Sequence, residues 1–217
     1  HTSSFHVTGV QTCALPICGG GRMVMQCDEL AEASRSMLGP EQERWLAQGL
    51  QAAKRRWKLL AQATQISSTS VPAPVGRSYW NDAWDGYPEA RKRLLQTVVD
   101  AKQRNVVTLG GDVHCNVAAP LRMEPNNPAS PIIASEFVTT SITSRGLGDK
   151  AATLIRDSNP DLLHYRTDER GYSLITVTSK EVRCDFRTTK FPAGSEAGLK
   201  TQASYVVKNG KAGPQPV

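Results

Sequence analysis

One helix-to-strand transition constrains this chain more than any other feature. Pro88 opens a stretch whose apolar residues Ala90, Leu94, Leu95, Val98, Val99 and Ala101 recur at helical spacing, with Glu89, Arg91, Lys92, Arg93, Lys102 and Arg104 left for the wet side. Asn105 ends it, and Val106-Val107-Thr108-Leu109 follows at once, running into Gly110-Gly111-Asp112-Val113-His114. A β-rich run with no polar alternation, entered directly from a helix, reads as a central strand covered on both faces. Such a strand excludes a single-layer fold and predicts an α/β architecture.

Other segments fit that architecture. Gly39-Pro40-Glu41-Gln42 is a helix entry, and Trp45, Leu46, Gly49, Leu50 and Ala53 continue it as an amphipathic helix of about 16 residues. Residues 57–62 read as a short buried strand, 67–80 as a Ser/Pro/Gly-rich loop, and 131–137 as a second buried strand. Beyond Gly171, residues 172–178, 182–186 and 204–207 read as antiparallel strands, with a frayed tail after Gly210. Trp45 and Trp57 read as core residues. No apolar run reaches the roughly 18 to 20 residues of a spanning helix. The net charge of +6, from 26 Lys and Arg against 20 Asp and Glu, favours anions, but the basic residues lack the aromatic-studded stripe of a nucleic-acid reader. Five cysteines without a C-x-x-C pair suggest neither a zinc ribbon nor a disulfide framework.

Chemistry concentrates at Gly110 to His114. Functional groups in open α/β sheets gather at the carboxyl ends of strands, and glycines there let the backbone turn closely. Asp112 offers a hard oxygen and His114 a neutral ring nitrogen, a pair suited to adjacent metal ions. An Asp capping a turn with a His packed beside it fits the same pattern. Glu136, after an apolar strand, reads either as a carboxylate that orients His114 from outside the ligand set or as a solvated strand-end glutamate. Thr139 to Ser144 offers hydroxyls or simply a turn, Cys115 reads as a buried free thiol, and His164 as a packed or surface histidine. No Gly-x-Ser-x-Gly elbow supports a serine hydrolase.

The order of longer motifs goes further. Trp80-Asn81-Asp82-Ala83-Trp84-Asp85-Gly86-Tyr87-Pro88, a helix with Ala90-Arg91-x-Arg93-Leu94-Leu95, then Gly-Asp-Val-His and Ser135-Glu136-Phe137-Val138-Thr139-Thr140-Ser141 form a succession that resembles alkaline phosphatase D (PhoD-like) enzymes. Met37-Leu38-Gly39-Pro40-x-Gln42-x-x-Trp45-Leu46, Asn159-Pro160, Arg170-Gly171-Tyr172 and Ser204-Tyr205-Val206-Val207 extend the likeness over residues 25–213, leaving 214–217 as a tail. The resemblance implies a calcineurin-like metallophosphoesterase sandwich, two sheets flanked by helices, of which this chain would be the C-terminal part. It further implies calcium and iron as cofactors, hydrolysis of phosphomonoesters and phosphodiesters as the reaction, and a periplasmic or extracellular location. Asp112 and His114 fall on the family's last metal motif, with Asp85 as a further ligand or an orienter of one and Asp82 as the fallback; a turn in which Asp85 caps the helix that Pro88 opens is the alternative for Asp85.

The motifs of the family's N-terminal half, of Gly-Asp-x-x-Tyr and Asn-Asp-His-Glu type, do not occur here. The ligand count therefore falls short of closing two metal sites, and the chain as given is expected to be inactive. The alternative is a non-catalytic relic of the fold that holds anions. Residues 1–18, free of Lys, Arg, Asp and Glu, are similar to the in-frame translation of a short-read sequencing adapter and are expected to be non-native.

Overall fold

The structure, a computed structural model, describes Cys18, residues 21–25 and residues 27–217. The leader expectation therefore lies, Cys18 apart, outside the described residues. Cys18 itself is joined to Cys27 by a disulfide, contrary to the reading of the cysteine count.

Helix α1 (Pro40–Ala52) starts where Pro40 occupies the first helical position and Gly39 supplies a left-handed φ of 81° before it. Ser36 Oγ accepts from the Gly39 N–H and donates to Glu43, tying the incoming chain to the first turn. Helix α2 (Pro88–Asp100) likewise begins at its proline and ends before Lys102 and Asn105, whose φ values of 52° and 58° no helix can carry. Between and after these helices run β2 (Lys58–Ala61), β5 (Val106–Gly110), β6 (Asn116–Arg122), β7 (Ile132–Val138) and β8 (His164–Arg166), forming a mixed sheet in the order β2-β5-β7-β6-β8. A second, antiparallel sheet has the order β12-β11-β10-β9, from β9 (Glu169–Val177), β10 (Glu181–Lys190), β11 (Lys200–Lys208) and β12 (Gln215–Pro216). Strands β1 (Met23–Met25), β3 (Val71–Pro72) and β4 (Arg77–Trp80) make a small third sheet. A further helix, α3 (Asp149–Asp157), precedes β8.

The central-strand expectation is met by the side chains of β5. Val106 packs toward α1 and α2 with Leu50, Leu95 and Val98, while its neighbour Val107 packs the other way among Phe137, Val182, Phe186 and Val207 of both sheets. Phe137 and Phe186 meet edge to face at 6.4 Å, a geometry worth about 0.5–1.5 kcal/mol beyond burial.

Several expectations change. Residues 58–61 form an edge strand rather than a buried one, and Leu59 stays 43% exposed. The 67–80 loop contains β3 and β4. Strand β6 went unread because Ala118-Ala119-Pro120 carries weak β signals. Its proline is tolerated because β8 pairs only with Asn116 to Ala118, so Pro120 has a partner on one side alone. Trp45 is exposed, since it lies beside rather than on the Leu46 and Leu50 face. Arg91, assigned to the wet side, is 5% exposed. The tail after Gly210 is pinned by β12 on β11 and by the Gly213 N–H donating to Ser135 Oγ at 2.9 Å.

Candidate metal centre

Strands β2, β5 and β7 run parallel, so their carboxyl ends deliver three loops to one rim: residues 62–70, 111–115 and 139–146. Gly110 ends β5 where a Cβ would stand 2.3 Å from the Thr64 carbonyl oxygen, so only glycine lets the first two loops meet. Asp112 and His114 then adopt φ values of 70° and 57°. Left-handed backbone at non-glycine residues costs of order 1–3 kcal/mol each and persists where surrounding contacts enforce it. The turn sets Asp112 out into solvent and leaves His114 half-buried.

The contacts that enforce this conformation come from the third loop. His114 Nδ1 lies 2.7 Å from the Arg145 carbonyl oxygen, an acceptor only, so the ring proton sits on Nδ1 and the Nε2 lone pair is free. The Thr140 hydroxyl shares its one proton between the His114 carbonyl at 3.1 Å and the Glu169 carbonyl at 3.2 Å, and a Cβ on Gly146 would come within 2.8 Å of the His114 oxygen. Ser141 Oγ donates to the Ser144 carbonyl at 2.6 Å, and Thr139 Oγ1 bonds Ser173 Oγ at 2.7 Å. The hydroxyls of this loop thus tie it to itself, to His114 and to β9.

Glu136 does not serve His114. Its side chain is fully buried, with Oε1 accepting the Ile66 N–H at 2.7 Å and Oε2 the Ser67 N–H at 2.8 Å. Burial pushes its carboxyl up, against those N–H donors and the charge of Arg91. The position of Glu136 on β7, opposite Thr108 and Ala119, turns its side chain toward the 62–70 loop, and the Arg145 carbonyl takes the orienting role expected of it.

Asp85 is also drawn to that loop. Its Oδ2 accepts from the Thr69 N–H at 2.7 Å and the Thr69 hydroxyl at 3.0 Å, and burial raises its carboxyl despite these bonds and Arg91. Arg91 completes the arrangement by donating from Nε to the Ile66 carbonyl at 3.0 Å. Two buried acids and one buried arginine therefore hold the backbone of residues 66–69. This loop also contains the buried Thr64 Oγ1 and Gln65 Oε1, which have no partner among the described residues.

Asp112 and His114, two residues apart, are thus the pair presented at the rim, and Asp85 does not join them. Among the described residues the only three potential ligands whose atoms lie within 4.8 Å of one another are Cys18, Cys27 and Glu29, and there the sulfurs are bonded together. A carboxylate and a free imidazole nitrogen suit a metal ion, but calcium takes six to eight oxygens and iron several nitrogens and oxygens. The two residues fit as part of a coordination shell.

Comparison with known proteins decides the family. The sequence profile described as PhoD-like phosphatase matches residues 7–186, a span that begins inside the 1–18 segment and ends in β10. The chain belongs to the PhoD-like phosphatase family. Alkaline phosphatase D of Bacillus subtilis (strain 168) is 36% identical over 193 residues, which cover 88% of this chain and 33% of that protein. A solved structure described as "Structure of PhoD" matches with a TM-score of 0.79 at 30% identity, over 90% of this chain and 38% of that one. The chain therefore spans about a third of the length of the relatives it matches, and the mixed α/β fold is common to them.

Within this PhoD-like fold two functional supports escaped sequence reading. Arg91 and Arg170 both lie in motifs that carried the family likeness, but a charged residue on a helix or strand reads as solvated until its partners are known. Arg170 is 3% exposed and donates to carbonyls of the 139–146 loop and its own strand.

Proposed function

We propose that this chain forms part of the active centre of a metal-dependent phosphoric ester hydrolase, with Asp112 and His114 as metal ligands. The observation that carries the reading is the state of His114. Its Nδ1 proton is committed to the Arg145 carbonyl, which leaves Nε2 as the only ring atom that can coordinate, beside the exposed carboxylate two residues away. Calcium and iron, which the family resemblance implies, would supply a bound water of lowered pKa and neutralise charge on the phosphate. The protein's part is to hold the His114 ring in one tautomer and Asp112 at the rim, with Asp85, Arg91 and Glu136 fixing the neighbouring loop. Substrates are phosphomonoesters or phosphodiesters met outside the cytoplasm, in the periplasm or beyond. Among the described residues no helix is long and apolar enough to cross a membrane.

Because Asp112 and His114 do not close a metal site alone, hydrolysis requires ligands from the further polypeptide that the longer relatives carry. The open edges of β2 and β9 are where such polypeptide would pair. The purified 217-residue chain is accordingly expected to be inactive toward p-nitrophenyl phosphate. In a polypeptide of the relatives' length carrying this sequence, Asp112→Asn and His114→Ala are each expected to lower bound metal and abolish hydrolysis. Unchanged hydrolysis in both variants sinks the assignment, and a longer polypeptide that binds phosphate without metal or turnover favours the anion-binding reading instead.

A further inference from the structure

We propose that Arg170 is a positioning residue for His114, acting through the Ser144 carbonyl of the turn that faces the imidazole; the proposal rests on the reading of His114 as an Nε2 ligand. Arg170 lies on β9, outside all three rim loops, and its guanidinium nonetheless reaches one of them. Nε donates to the Ser144 carbonyl at 2.5 Å. Nη1 donates to the carbonyls of Thr167 and Glu169 at 2.8 and 2.7 Å, anchoring the fork to its own strand. The Phe191 ring covers the guanidinium at 4.9 Å from its centroid.

The loop atom that Arg170 holds is one step from His114. Ser144 is followed by Arg145, whose carbonyl accepts the ring N–H. The ring of His114 is therefore set, through one intervening residue, by a planar fork. That fork cannot be replaced by a lysine, which offers a single ammonium on a flexible stem. Without it the 144–146 turn is free to move away, the 2.7 Å acceptor on Nδ1 is lost, and the ring proton can pass to Nε2, removing the lone pair a metal needs.

The test reads the tautomer of His114 directly, by two-bond nitrogen–hydrogen correlation NMR on the 15N-histidine-labelled 217-residue chain, metal-free and at alkaline pH. In the wild type the Nδ1–H form is expected to dominate. In Arg170→Gln and Arg170→Lys the ratio is expected to shift toward Nε2–H by about tenfold, the fold-change that loss of one hydrogen bond produces. Arg183→Gln, a substitution on β10 away from the loop, should leave the ratio unchanged. If Arg170→Gln does not fold by circular dichroism, Arg170→Lys, which keeps the charge and loses the fork, is the variant read. A wild-type ratio in a folded Arg170→Gln or Arg170→Lys overturns the positioning role. A wild type already in the Nε2–H form instead overturns the reading of His114 as a ligand, so the two failures are told apart.

Discussion

Replacing Glu136 by alanine should unfold this chain far more readily than the loss of one side chain from a strand suggests. The carboxylate is fully buried and, among the described residues, is the one acceptor of the Ile66 and Ser67 N–H groups, at 2.7 and 2.8 Å. Each N–H left buried without an acceptor costs about 1–3 kcal/mol. The substitution also takes one of two buried carboxylates from the neighbourhood of Arg91, whose guanidinium is held down by burial and supported by Asp85, Glu136 and Asp161. Breaking a buried charged contact from one side typically costs about 3–5 kcal/mol, a figure that includes the stranded partners. A loss of about 3–5 kcal/mol is thus expected against a total of about 5–15 kcal/mol for an ordinary domain. At about 2–4 °C per kcal/mol for a chain of this size, the melting midpoint should fall by about 6–20 °C. Glu136→Gln keeps the shape and one oxygen but turns an amide NH2 toward one of the two N–H donors, so about 1–3 kcal/mol is expected. Urea titration of wild type, Glu136→Gln, Glu136→Ala, Arg91→Met and the Arg91→Met/Glu136→Ala pair separates the terms. The double variant should be less destabilised than the sum of its singles by about 0.5–3 kcal/mol. An alanine variant within about 1 kcal/mol of wild type, or strict additivity with Arg91→Met, would refute the reasoning, because neither the orphaned donors nor the shared charge would then matter.

Gly110→Ala places a methyl 2.3 Å from the Thr64 carbonyl oxygen and is expected to cost about 1–3 kcal/mol or more, read as a lower denaturation midpoint, with Gly111→Ala, whose nearest contact is 3.8 Å, as the mild control. Cys115 and Cys184 are both fully buried with thiols pushed up to about 12 by burial, so native protein at pH 8 should leave both unlabelled by iodoacetamide, and both should label in urea by peptide mapping. Burial raises the Glu169 carboxyl, but the Lys200 ammonium and the Thr188 and Gln202 donors outweigh it and hold the group below its ordinary 4.5. A depressed carboxyl adds stability above the unfolded value that disappears as pH falls through the folded one, so the melting-point gap between wild type and Glu169→Gln should narrow on acidification below about pH 4.5. A gap that widens in acid would contradict the sign.

How far the site could be read in advance varied residue by residue. The Gly110 to His114 segment was legible as a turn because a β-rich run ends there in two glycines. Asp85 was misplaced for the opposite reason: an acid before a proline-opened helix fits a ligand, a cap or a loop brace equally well, and the Thr69 donors that decide among them lie 16 residues upstream. Glu136 was expected beside His114 because it follows an apolar run, but it sits within β7 and faces the 62–70 loop. Arg91 was assigned to water from its charge alone, and Ala118-Ala119-Pro120 concealed β6 because its burial owes nothing to β propensity.

By itself the sequence determined what local chemistry can determine: helices opened by Pro40 and Pro88, a β5 strand apolar on both faces, and a glycine turn at its end that only small residues allow. Those features depend on backbone sterics and side-chain period, which act over a few residues. The tertiary structure decided which atoms the functional groups retain for chemistry. Glu136 meets Ile66 across 70 positions, and His114 meets Arg145 across 31. Contacts at that separation follow from strand order and register, which place one carboxylate in a loop and one carbonyl on an imidazole, and neither is written in the residues that make them.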